Sequence, residues 1–168
     1  MTDGLQWEGP MPLTWHDGEP NLAQRQVMLR EAALLLAAVN QLEAGRETDA
    51  TSPDNRRLDR LEAKLDLALH LLARVLEPQA ASGARTVRLG AETLAWDDDA
   101  PPAAGQPLVL RLRPSDQLPL TLELPAVAQA PERGQARARF LDLPEDLADA
   151  LTQFVFRRHR QAIRARSG

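Results

Sequence analysis

The 168-residue sequence predicts an α+β fold: an antiparallel β-barrel of about six strands with a C-terminal helix, plus a long helical hairpin forming an oligomeric coiled coil. Three stretches of distinct period predict it. Apolar residues recur by threes and fours from Ser52 to Glu77, at every second position from Thr86 to Phe140, and again at helical spacing after Asp142. Periods of 3.6 and 2 are the only ways a helix and a half-buried strand can keep one face dry.

Residues 1–20 carry Asp3, Glu8, Asp17 and Glu19 and no base, and Met11 to Trp15 reads as a short strand whose prolines suit a sheet edge. A helix starts at Asn21, with Asn21 and Gln24 at capping-box spacing, and is expected to stop at Gly45. Leu22, Val27, Met28, Leu34, Leu35, Leu36, Val39 and Leu42 make it apolar over more than half its circumference, so it is expected to lie buried between layers. A polar linker, Arg46 to Thr51, turns the chain into the second arm of the hairpin.

That second arm is the most regular stretch of the chain. Ser52-Pro53-Asp54 supplies a capping hydroxyl, a proline for the first turn and an acid at the positive end of the dipole, and Pro78 ends the helix. It spans about 37 Å at ~1.5 Å per residue. Leu58, Leu61, Leu65, Ala68, Leu72 and Val75 form one seam. The flanks are Glu62 and Lys64 in the first half, but Leu67, Leu69, Leu71 and Leu76 widen the apolar surface in the second. One covering neighbour is the preceding helix; the other is expected to be copies of the same chain, because each buried methylene is worth about 0.8 kcal/mol.

After the joint Ala80-Ala81-Ser82-Gly83, strand sets follow: Val87 and Leu89, then Leu94 and Trp96 beyond a turn at Gly90 to Thr93. Asp97-Asp98-Asp99 and the Pro/Gly-rich Ala100 to Pro107 read as an exposed, solvated connection. Leu108, Leu110 and Leu112 alternate with Arg111 and Arg113; Leu118, Leu120, Leu122 and Leu124 alternate with Thr121 and Glu123; Ala136, Ala138 and Phe140 alternate with Arg137 and Arg139. Asp142-Leu143-Pro144-Glu145 caps a last helix with core residues Leu147, Leu151, Phe154 and Val155. Its tail holds Arg157, Arg158, Arg160, Arg164 and Arg166 without an acid.

Composition excludes several function classes. There is no cysteine, hence no disulfide and no Cys-ligated zinc or iron–sulfur site. With 4% aromatic residues, no tyrosine and a net charge of −4, stacking and polyanion binding are both poorly supplied, so no nucleic-acid partner is expected. No segment reaches the ~20 apolar residues of a membrane span. The opening residues lack the basic start and apolar run of an export signal, so the expected location is the cytoplasm. No nucleophile, phosphate-loop or dinucleotide motif is present, and no enzyme is predicted. His16, Asp17 and Glu19 crowd one loop, but three ligands on a terminal loop are more simply solvated side chains; no metal is expected. The basic tail complements the helix dipole and is also able to hold phosphates.

The residues from Thr86 to Arg164 resemble the PilZ domain, a small β-barrel closed by a C-terminal helix that in many bacterial proteins senses cyclic di-GMP. The resemblance lies in Val87-Arg88-Leu89-Gly90-Ala91-Glu92-Thr93-Leu94-Ala95-Trp96, in the Leu108-Val109-Leu110 strand after Gly105, in Ala138-Arg139-Phe140-Leu141-Asp142-Leu143, and in Leu151, Phe154, Val155, Phe156 and Arg160. With the helical pair, the chain is similar to the atypical, tetramer-forming branch. This implies a single PilZ-like domain over 1–168, with a strand at about 11–15, barrel strands over about 86–141, a C-terminal helix over about 143–165 and an inserted helical hairpin at 21–77.

The family's dinucleotide grip uses R-x-x-x-R and a D/N-x-S-x-x-G turn. The three key positions of the second motif fall on Arg88, Gly90 and Thr93, and all three differ; Arg56 and Arg60, or Arg160 and Arg164, fit the first only in spacing. The resemblance therefore implies a non-enzymatic regulatory module. It would be a homotetramer acting through contacts with a signalling or pilus-related protein in bacterial cyclic di-GMP or type IV pilus-related signalling, with no cofactor. The alternative is a cyclic di-GMP receptor that uses Arg85, Arg88, Arg157, Arg158 and Arg160 in a non-standard mode.

Overall fold

The computed structural model describes residues 4–48, 61, 65, 68, 72, 83–116, 118 and 120–167. In chain order these form β1 (Trp7–Asp17), α1 (Leu22–Thr48), β2 (Ala84–Leu89), β3 (Thr93–Asp97), β4 (Pro107–Leu112), β5 (Leu122–Glu132), β6 (Gln135–Phe140) and α2 (Glu145–Ser167). The six strands close into an antiparallel barrel in the order β1-β2-β3-β6-β5-β4. Closure removes the sheet edges that a small open sheet would have to protect.

The alternation read from the sequence points inward as expected. Leu13, Val87, Leu89, Leu94, Trp96, Leu108, Leu110, Leu112, Leu122, Leu124, Ala136 and Ala138 are buried in one core, and their neighbours Arg88, Arg111, Arg137 and Arg139 stand on the outside. Gly90 to Thr93 is the expected turn, closed by the Gly90 N–H donating to the Thr93 carbonyl at 2.9 Å. Between β5 and β6, Arg133 and Gly134 both take positive φ, 53° and 81°, the pair of left-handed residues that a tight two-residue hairpin matches to the strand twist.

Three strand features differ from expectation. β1 runs over Trp7–Asp17 instead of 11–15, and it is a barrel stave, not an edge. Its prolines are tolerated because Trp7 to Pro12 pair with β2 and Leu13 to Asp17 with β4, so each half has one partner and needs ladder bonds on one side only. Gly9 belongs to this strand because a Cβ there would clash with the Trp7 indole. β5 begins at Leu122, not Leu118, and continues through Pro125 to Glu132. Its inward alternation is carried on by Ala126 and Ala128, small residues with little apolar signal. The Asp97 to Asp99 connection is not uniformly solvated, because the Asp98 side chain is nine-tenths buried.

The two helices pack on each other and on the barrel wall. Asn21 and Gln24 form the predicted capping box: the Gln24 N–H donates to Asn21 Oδ1 at 2.9 Å and the Asn21 N–H to Gln24 Oε1 at 3.0 Å. The helix then passes through Gly45 to Thr48, where a stop had been expected. Nor is α1 buried all round. Leu29, Ala32, Ala33, Leu36 and Val39 enter the core beside β5 and α2, whereas Val27 and Leu34 on the opposite face are exposed. In α2, Leu147, Leu151, Phe154 and Val155 face the core, joined by Ala150. The Asn40 amide, itself buried, ties the helices by donating to the Ala150 carbonyl at 2.9 Å.

Candidate functional site

Two surfaces follow from this fold: the outer, arginine-bearing wall of the barrel, and the exposed positions Leu61, Leu65, Ala68 and Leu72 of the inserted segment. On the wall, strand register decides which side chains meet. Arg88 stands between Glu8 on β1 and Ala95 on β3, and Ala95 in turn stands beside Arg137 on β6. Thr93 pairs with Arg139. The small Ala95 thus sits between two guanidinium-bearing side chains, next to the turn where the family motif falls. Arg139 is exposed and makes no ion pair among the described residues. It escaped selection from the sequence because outward alternation treats all strand arginines alike; only cross-strand pairing puts it beside Thr93.

The five arginines singled out from the sequence are distributed over separate places, and four of them already hold carboxylates. Arg88 bonds Glu8 Oε2 through Nε and Nη2 at 3.2 and 3.1 Å. Arg85 lies 3.0 Å from Asp98 Oδ2 and donates to the Asp97 carbonyl at 3.2 Å. Arg157 and Arg158 share Glu43, at 3.2 and 3.1 Å. Arg158 also donates to the Pro114 carbonyl at 2.7 Å and stacks 5.2 Å from the Phe154 ring centroid and 6.0 Å from that of Trp7. Arg160 points outward over Phe156 at 5.7 Å. A ligand phosphate at Arg157 and Arg158 would therefore have to displace Glu43, a charge-assisted contact already in place.

Asp98 is the most constrained group on this wall. Its Oδ2 accepts from the indoles of Trp15 at 2.7 Å and Trp96 at 2.9 Å, and its Oδ1 accepts the Ala100 N–H at 3.0 Å. Burial alone would raise its pKa. The two indoles, the Ala100 N–H and the Arg85 charge outweigh it and hold the carboxyl below the usual carboxylate range. This knot fixes the connection after β3 against β1, so Arg85 is oriented by the barrel itself. Among the described residues no group of three His, Cys, Asp or Glu is placed to hold a metal, and no helix is long and apolar enough to cross a membrane.

On the inserted segment, Leu61, Leu65, Ala68 and Leu72 are helical and exposed, with Leu65 and Leu72 each 53% accessible. Their spacing places them on one helical stripe. The other two seam positions, Leu58 and Val75, lie outside the described residues, as do the Ser52-Pro53-Asp54 start, Pro78, Arg56 and Arg60. The barrel sets where this segment originates: the chain leaves at the end of β1 and returns at Ala84, opposite Pro12.

Comparison with known proteins adds the following. Residues 33–167 match the tPilZ family, described as an atypical PilZ domain, cyclic di-GMP receptor. The chain is similar, over 97% of its length, to 92% of a solved chain from Xanthomonas campestris, at 28% identity and a TM-score of 0.78. That pathogenic protein is described as a new tetrameric PilZ domain self-assembled via an unusual helical bundle. No curated protein matches the sequence.

Proposed function

The chain belongs to the atypical PilZ domain family, a cyclic di-GMP receptor family, and we propose that it is a non-enzymatic regulatory module that assembles through its inserted helices and acts by protein contacts. It would be a single domain, with the hairpin at 21–77 inserted between β1 and β2. Leu58, Leu61, Leu65, Ala68, Leu72 and Val75 would carry the assembly, with four copies as in the similar Xanthomonas protein. The observation behind this reading is the exposed stripe of Leu61, Leu65 and Leu72. Burying apolar surface is worth about 25 cal/mol per Å², so three half-exposed leucines per copy favour association by several kcal/mol. Assembly presents several barrels at once, and weak contacts to a signalling or pilus-related partner add up through effective concentration.

Light scattering on the purified chain tests this. Wild type should run at about four subunit masses, and Leu65→Asp, which puts a charge in the seam, should fall to a smaller species with unchanged helix content. A wild type of one subunit mass at micromolar concentration removes the reading.

The family's own ligand gives a second reading, cyclic di-GMP bound in a non-standard mode. Arg139, exposed beside Thr93, and Arg88, held only by a solvent-facing Glu8, are the barrel-wall arginines best able to take phosphates without breaking a buried contact. Titration calorimetry with cyclic di-GMP should then show binding that is lost in Arg88→Ala combined with Arg139→Ala. Binding unaffected by that pair moves the site elsewhere.

A further inference from the structure

The outward face of α2 is apolar in its middle, where a helix facing only water would be polar. Leu147, Leu151, Phe154 and Val155 turn into the core, and on the opposite side Asp149, Phe156, Arg160 and Ile163 follow one another at spacings of seven, four and three. Phe156 and Ile163 are each 51% exposed, and the Arg160 guanidinium partly covers the Phe156 ring. The charges along this face are sorted by sign about Phe156. Glu145, Asp146 and Asp149 precede it; Arg160, Arg164 and Arg166 follow it. The helix dipole accounts for charges at the two ends. It does not account for an exposed aromatic and an exposed isoleucine between them.

Reversal of the helix sets its acidic first half against its basic second half. Asp149 lies seven residues before Phe156, and Ile163 and Arg164 lie seven and eight after it, each about 10–12 Å along the axis at ~1.5 Å per residue. Two such helices laid antiparallel, with the Phe156 rings meeting at a twofold axis, bring Asp149 level with the partner subunit's Ile163 and within one residue of the partner subunit's Arg164, on both copies. This is an isologous patch, in which residue i meets j and j meets i. We propose that the outward face of α2 docks antiparallel on the same face of a second copy, at a contact separate from the seam at residues 61–72. The mixed charge argues for this occupant over others. An anionic membrane or a uniformly acidic partner would be repelled by the Glu145 to Asp149 half, and a basic partner by the other half. A single helix pair buries less than a standard interface, so the contact is weak in isolation. It matters when several copies are already held together, where effective concentration lets it add to the seam within one assembly.

The inference does not depend on the seam, and the test separates the two. Sedimentation of Leu65→Asp at high micromolar concentration should show a reversible monomer–dimer equilibrium. Phe156→Asp added to it should abolish the dimer. Asp149→Arg or Arg164→Asp alone should each weaken the dimer about tenfold or more, and the double reversal should restore it. A Leu65→Asp chain that stays at one subunit mass with native circular dichroism overturns the proposal, as does a double reversal that fails to restore the dimer. A Leu65→Asp mass equal to wild type removes the seam instead, and Phe156→Asp alone then decides the α2 contact.

Discussion

At the scale of single residues, Asp98 shows how a side chain acquires its role from its surroundings. In the sequence it is the middle of three aspartates before a Pro/Gly-rich stretch, a pattern that reads as solvent-exposed. In the fold it is the common acceptor of two indoles from different strands, with Arg85 beside it. Asp98→Ala should leave both indole N–H groups without an acceptor and lower stability by about 1–3 kcal/mol, measured by urea unfolding followed by tryptophan fluorescence. The pH dependence has a definite sign. The folded-state pKa is depressed, so the carboxylate's contribution is fully present above the ordinary Asp range and is lost as pH falls through the lower folded value. Wild type should lose stability over that acid window, and Asp98→Asn should lose less there. Equal acid profiles would show that Asp98 does not carry the knot.

At the scale of elements, the period of the apolar residues was enough to find β1 to β6, α1 and α2 among the described residues, because each element must keep its own face dry whatever it packs against. The limits of elements were less legible. β1 extends past its apolar core because barrel neighbours supply hydrogen bonds that a sequence window does not contain, and β5 extends because alanines face inward there. The link between α1 and α2 was invisible for a related reason: Glu43 and the arginines it binds are separated by 114 and 115 positions. Glu43 is mostly buried, so Glu43→Ala should leave Arg157 without its acceptor and cost about 1–3 kcal/mol, less at Arg158, which keeps the Pro114 carbonyl and two rings. For a chain of this size that lowers Tm by about 2–4 °C per kcal/mol. An unchanged melting curve would mean that the pairs seen here contribute nothing net, as many surface ion pairs do.

For the whole molecule, the seam prediction has a thermodynamic counterpart. If folding and association are linked through Leu61, Leu65 and Leu72, wild-type Tm rises with protein concentration, and Leu65→Asp is nearly flat by comparison. The candidate ligand arginines show the other side of the same scale. Their places near the motif turn and in the basic tail suggested phosphate contacts, yet Glu8, Asp98 and Glu43 compensate four of the five singled out, and Arg139, which was not singled out, is the one that stands beside Thr93 unpaired among the described residues. Spacing along a chain reports local periodicity, and periodicity fixed the alternation of the barrel, the capping box at Asn21 and the apolar stripe of the inserted helix. Charge compensation depends on which strands are neighbours and in what register. Closure of the barrel and docking of α2 on α1 set that, by bringing together side chains as far apart in the chain as Glu8 and Arg88 or Glu43 and Arg157.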